Sequence, residues 1–174
     1  LLKAELAEPE VRAVAYQLKT AKFPAYRDLS GFDFTSSMAN EALIRQLCAG
    51  DFMDSAQNVV LVGGPGTGKT HLASAIGIQA IEQLHRRVRF FSTIELVNAL
   101  EKEKQQGKPG QIASRLMHTD LVILDEMGYL PFSQTGGALL FHLMSKLYEC
   151  TSMIITTNLS FAEWSNVFGD AKMT

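Results

Sequence analysis

The chain has 174 residues, with 16 Lys and Arg against 18 Asp and Glu, a formal net charge of -2 and 47% hydrophobic residues. That length suits one domain with a buried core, and the balanced charge excludes a chain that is basic throughout, so any DNA contact would need a local patch or an assembly. There is no apolar run of about 18 residues, the first residues mix charge with Leu, unlike a signal peptide, and the cysteines Cys48 and Cys150 stand far apart; these argue against a membrane-spanning helix and a zinc or redox pair, and a cytoplasmic protein is expected.

In chain order, the pattern predicts a helix over about Pro9 to Thr20 and a linker at Phe23-Pro24-Ala25-Tyr26, because Pro24 pushes Phe23 out of helical geometry. After Phe32-Asp33-Phe34 a second helix is expected over about Asn40 to Ala49, bounded by Gly50-Asp51. Residues 1–50 thus read as an N-terminal helical and linker segment, and 51–174 as the core. In the core, strand 58–62, helix 69–84, strand 88–92 and helix 93–104 alternate. A polar break at 105–110 precedes a short helix to about His118, then strand 121–124, helix 135–149 and strand 153–157. Repeated strand and helix units with continuously apolar strands imply an α/β fold, a parallel sheet with helices on both faces.

Between the strand at Val59 and the helix at Lys69 lies Gly63-Gly64-Pro65-Gly66-Thr67-Gly68-Lys69-Thr70. The spacing is that of a phosphate-binding loop, and strand before and helix after are the context it requires. Glycines at 63, 64, 66 and 68 are expected to take positive φ, turning successive N–H groups inward around phosphate at a helix N-terminus. Lys69 would reach the β- and γ-phosphates, the Thr70 hydroxyl would ligate Mg²⁺, and the backbone N–H of His71 would lie near the α-phosphate. Gly63 to His71 are therefore the candidate ATP-binding residues.

The strand Leu121-Val122-Ile123-Leu124 ends in Asp125-Glu126, a Walker B pattern. Open α/β sheets place ligands at the carboxyl ends of their strands, so Asp125 is the candidate Mg²⁺ ligand and Glu126 the candidate group that polarises the attacking water. Acids that merely cap the next element are the alternative. Asn158 follows the strand 153–157, where an amide would hydrogen-bond the γ-phosphate or orient water, the sensor 1 position of AAA+ ATPases; by itself it is a turn former. Lys69, Glu126 and Asn158 form the expected catalytic set. His85, His118 and His142 lack ligand spacing.

Several segments together resemble the IstB-like ATP-binding proteins, helper ATPases of insertion-sequence transposition related to the DnaC helicase loaders. They are Lys22-Phe23-Pro24, Phe32-Asp33-Phe34, 66–73, Asp125-Glu126-Met127-Gly128-Tyr129-Leu130-Pro131, and Thr156-Thr157-Asn158-Leu159 with Glu163-Trp164. Gly64 stands where that family often has Pro. The resemblance implies a P-loop AAA+ three-layer αβα sandwich with a mainly parallel sheet, binding ATP and Mg²⁺ and assembling as a homo-oligomer on duplex DNA. The partner it implies is a transposase, or a replicative helicase if the loader relation governs; a nucleotide-gated assembly module with little hydrolysis is a third reading. It also implies a further strand and a finger arginine that this chain lacks, so the sequence reads as a fragment whose C-terminal part is missing, with Val59 to Val62 on a sheet edge and weak ATPase activity. Lys102, Lys104 and Lys108, with Arg86, Arg87 and Arg89, are the candidate DNA contacts; a solvated helix end, with Glu101 and Glu103 interleaved, is the alternative. Tyr26, Phe32 and Phe34 would border adenine or else pack the core, and Trp164 would pack the segment after the last strand.

Overall fold

A computed structural model describes residues 2–129 and 132–163. Leu130, Pro131 and Trp164 lie outside them.

The first helix, α1 (Leu2–Ala21), begins earlier than expected and runs through Pro9. The residues before the proline, Leu2 to Glu8, are mostly strong helix formers, which outweighs the single backbone bond Pro9 gives up. A 3-10 turn at Leu29–Gly31 follows, then α2 (Glu41–Ala49) and the one-turn α3 (Asp51–Asp54). Asn40 caps α2, its side chain accepting from the Leu43 N–H at 3.1 Å, so the helix starts one residue later than the sequence suggests.

The core comprises β1 (Val59–Val62), α4 (Lys69–Glu82), β2 (Val88–Ser92), α5 (Thr93–Gln105), α6 (Gln111–Leu116), β3 (Leu121–Met127), α7 (Gln134–Leu147) and β4 (Ser152–Thr157). Asn58 is not in β1; its side-chain oxygen accepts from the Met153 N–H at 2.9 Å instead. The strands form a parallel sheet in the order β1-β4-β3-β2, with β1 on one edge among the described residues.

Alternation along the strands divides the apolar residues between two faces. Leu121, Ile123 and Ile154 pack with Ala73, Ile76, Ala80 and Ile81 of α4, and with Phe52, Met53 and Ala21. Val122, Leu124, Met153 and Ile155 pack with Leu96, Val97 and Leu100 of α5 and Leu140, Leu143 and Leu147 of α7. The result is the expected three-layer sandwich. Each fully buried Ile or Leu contributes about 1.5–3 kcal/mol relative to exposure, enough in sum to hold the strand ends in fixed relation. The helix after β1 covers one face while those after β2 and β3 cover the other, which opens a crevice at the carboxyl ends of β1, β4 and β3.

Candidate active site

The loop 63–68 leaves β1 in that crevice. Its first residue is tied to the sheet, the Gly63 N–H donating to the Thr157 carbonyl at 3.1 Å. Gly66 and Gly68 hold positive φ, 71° and 86°. Gly63 and Gly64 do not, which corrects the expectation for those two. Gly63 is small for another reason: a Cβ there would stand 2.9 Å from Thr67 Oγ1. Gly64 has open space around it, consistent with tolerance of a side chain or ring. The Thr67 hydroxyl and the Lys69 ammonium both donate to the Gly64 carbonyl, at 2.8 and 2.6 Å, so the loop is braced from within. Pro65 is exposed at its tip.

Lys69 is 8% exposed. Burial lowers its pKa below the ordinary lysine value, and the charges of Asp125 and Glu126 oppose the shift. On the next residue, the Thr70 hydroxyl donates to both carboxylate oxygens of Asp125, at 2.9 and 3.1 Å, across the gap between α4 and β3. His71 does not turn toward the crevice; its Nε2 donates to the Asp28 carbonyl at 2.8 Å and its ring meets Phe32 edge-on.

The strand β3 does not stop at Leu124. It continues to Met127 through a bulge, where Leu124 pairs with Ile155 and Met127 with Thr157, so that Asp125 and Glu126 both lie opposite Thr156. Asp125 is 6% exposed, while Glu126 is exposed and holds φ 62°, a conformation uncommon for a residue with a side chain. The bulge turns the two carboxylates differently: one inward to Thr70, one outward to solvent. Asp125 is held further by hydroxyls that sequence reasoning did not single out. Thr156 donates to its Oδ1 at 2.5 Å, and Thr93 donates to its carbonyl oxygen at 2.7 Å.

Asn158 is exposed at the carboxyl end of β4, between the ends of β1 and β3. The preceding Thr157 donates to the Met127 carbonyl at 2.7 Å and accepts from the Leu159 N–H at 3.0 Å, which fixes the chain on both sides of the amide. Tyr129 lies within electrostatic reach of both acids: partial burial, then Glu126 and Asp125, push its phenol pKa up.

Phe32 packs against the loop's end; a Cβ on Gly68 would come 2.5 Å from its ring. Phe34 stacks edge-on against Phe32. Tyr26 is elsewhere, which corrects its grouping with them: its hydroxyl donates to Glu82 at 2.7 Å, at the far end of α4, and its pKa is raised to about 12 chiefly by that bond. Thr70 and Glu82 are 12 helical residues apart, about 18 Å along the axis.

Of the basic candidates, Lys102, Lys104 and Lys108 are exposed, near the end of α5 remote from Asp125. Arg86 is paired with Asp54 and Asp120, and Arg89 is half-buried with its guanidinium 5.2 Å from the centre of the Phe91 ring. Glu103 is no solvated member of the charge run. It is buried and accepts from the Gly110 and Ile112 N–H groups at 2.8 and 2.7 Å, closing the polar break onto α5. Among the described residues no cluster of three His, Cys, Asp or Glu offers a metal cage. A hydroxyl and a carboxylate in contact are a hard-oxygen pair that suits Mg²⁺, which keeps several waters and takes few protein ligands.

A parallel sheet whose edge strand runs through a glycine loop into a helix facing two acids on an inner strand defines a P-loop domain of the AAA+ class. The DnaC helicase loader structure is similar with TM-score 0.67 and 26% identity, over 76% of this chain and 80% of that one. AMPPCP-bound DnaA from Aquifex aeolicus shares the fold, with TM-score 0.67 at 22% identity over 83% of this chain and 45% of that one. The chain belongs to the IstB-like ATP binding protein family, which it matches over residues 1–174. Its relatives include a Pseudomonas aeruginosa protein named as the ATP-binding protein of insertion sequence IS21, 38% identical over 160 residues. Another, from Geobacillus stearothermophilus and named for insertion sequence IS5376, is 36% identical over 172 residues. This chain is covered to 91% and 98% by these matches and spans 60% and 68% of the two relatives' lengths.

Proposed function

We propose that the chain is the ATP-hydrolysing module of an insertion-sequence helper protein that multimerises on duplex DNA and acts with a transposase. The observation that carries the reading is the direct contact of the Thr70 hydroxyl with the Asp125 carboxylate at 2.9 Å. It joins the phosphate loop to the acidic strand end at one point. Membership of an ATP-binding family and relatives named for insertion sequences supply the nucleotide and the setting.

In this reading residues 63–71 hold the phosphates, Lys69 neutralises the β- and γ-phosphate charge, and Thr70 with Asp125 hold Mg²⁺. When bound, that ion supplies Lewis-acid stabilisation of the transferring phosphoryl group. Glu126, exposed and turned away from the buried acid, accepts a proton from the water that attacks in line. Asn158 orients that water from β4. Most of the rate comes from positioning and electrostatics. The Glu126 carboxylate argues against a module that only binds nucleotide, since its loss is the simplest way to make one. A helicase partner is the second reading, favoured by the likeness to the DnaC loader.

Sizing the protein by light scattering, with and without ATP and duplex DNA, tests the assembly. A larger species that requires both supports the helper reading. A size unchanged by either ligand contradicts it.

A further inference from the structure

Thr156 is 1% exposed and lies in β4 opposite the bulge of β3. Its hydroxyl donates to Asp125 Oδ1 at 2.5 Å and accepts from the Glu126 backbone N–H at 2.9 Å. A hydroxyl has one proton, and Asp125 is the acceptor, so the direction of both bonds is set. One oxygen thus holds the side chain of the first acid and the backbone of the second. A bulge leaves its extra residue without a regular ladder partner, and here Thr156 provides one. Glu126 keeps φ 62°, a conformation that persists only where the surroundings over-determine it.

We propose that Thr156 is a positioning residue for ATP hydrolysis: it fixes the bulge that aims the Glu126 carboxylate while holding Asp125 against Thr70. The inference rests on the ATPase reading above. It is separable from that reading because Thr156 is buried and bonded to the two acids, with residues 63–71 as the proposed phosphate holders; its loss should act on turnover far more than on binding. Threonine at this place is otherwise an ordinary strand residue, so a merely structural role must be distinguished by experiment.

The test uses the intact protein and three readouts: turnover at saturating Mg·ATP, affinity for a fluorescent ATP analogue with Mg²⁺, and melting temperature. Thr156→Val keeps the shape and removes both bonds, Thr156→Ser keeps the hydroxyl, and Thr151→Val is the control. Thr151 is also 1% exposed and donates to the Thr119 carbonyl at 3.2 Å, just before the opposite end of that strand. Thr156→Val should lower kcat about tenfold or more, part of the roughly 10²–10⁴ that a positioned base supplies. Its nucleotide affinity should stay within about threefold, and Thr156→Ser should recover kcat to within about threefold. Thr151→Val should keep kcat whatever its melting temperature. Wild-type kcat in Thr156→Val, a serine variant as impaired as the valine one, or an equal kcat loss in Thr151→Val overturns the proposal. Should Thr156→Val not fold, Thr156→Ala is read by the same criteria. A wild-type protein that neither binds nor hydrolyses ATP overturns the ATPase reading together with the proposal.

Discussion

At residue scale, the phosphate loop is shaped by what each position lacks as much as by what it carries. Gly68 needs both features of glycine: φ 86°, and no Cβ where the Phe32 ring would be 2.5 Å away. Gly68→Ala should therefore strain the loop and displace Phe32, costing about 1–2 kcal/mol of stability, the scale of alanine forced into left-handed geometry. It should also weaken ATP-analogue binding, and urea denaturation alongside a binding titration checks both. The glycines were legible as a loop because their spacing is specific, but their individual duties were not. The sequence cannot distinguish a glycine needed for φ from one, like Gly63, that makes room for a neighbour's hydroxyl. The contacts of Thr93 and Thr156 with Asp125 were not legible for a related reason. β-branched residues are ordinary in and beside strands, and only the register shows that their hydroxyls meet Asp125. Two threonines closing an apolar strand beside an acidic one were the available signal.

At the scale of elements, the helices and strands of the core fall within a few residues of their sequence patterns, because a buried parallel strand and an amphipathic helix have distinct periods. What pattern could not give is the bulge in β3, which depends on its pairing with β4 and carries the two acids to opposite sides. It also could not place Tyr26, since a linker with proline has no period to follow. Glu103 shows the same limit: in sequence it alternates with lysines, yet in the fold its carboxylate closes residues 110–112 onto α5. Glu103→Ala removes two charge-assisted bonds at a buried site and should cost about 1–3 kcal/mol in denaturant unfolding. Nucleotide affinity should be unaffected, because Glu103 lies ten residues along α5 from Thr93, about 15 Å from the end that meets Asp125. A matching loss of ATP-analogue affinity would show that the polar break and the crevice are coupled.

For the molecule as a whole, the two faces of the sheet set the site. The helix after β1 departs to one face and those after β2 and β3 to the other, so loop 63–68, the β3 bulge and Asn158 converge where the layers part. Residues 26–32 reach the same helix: His71 and Phe32 pin the 28–32 turn to the start of α4, and Tyr26 ties to its end. In the proposed reading Glu126 serves turnover, while residues 63–71 hold the phosphates. The direct test is Glu126→Gln in the intact protein, with Mg·ATP affinity and turnover measured on the same preparation. Affinity should stay within about threefold of wild type while turnover falls about 10²-fold or more, the loss of a positioned base. Unchanged turnover in Glu126→Gln would contradict the assignment of this crevice as an ATP-hydrolysing site built around the β3 acids.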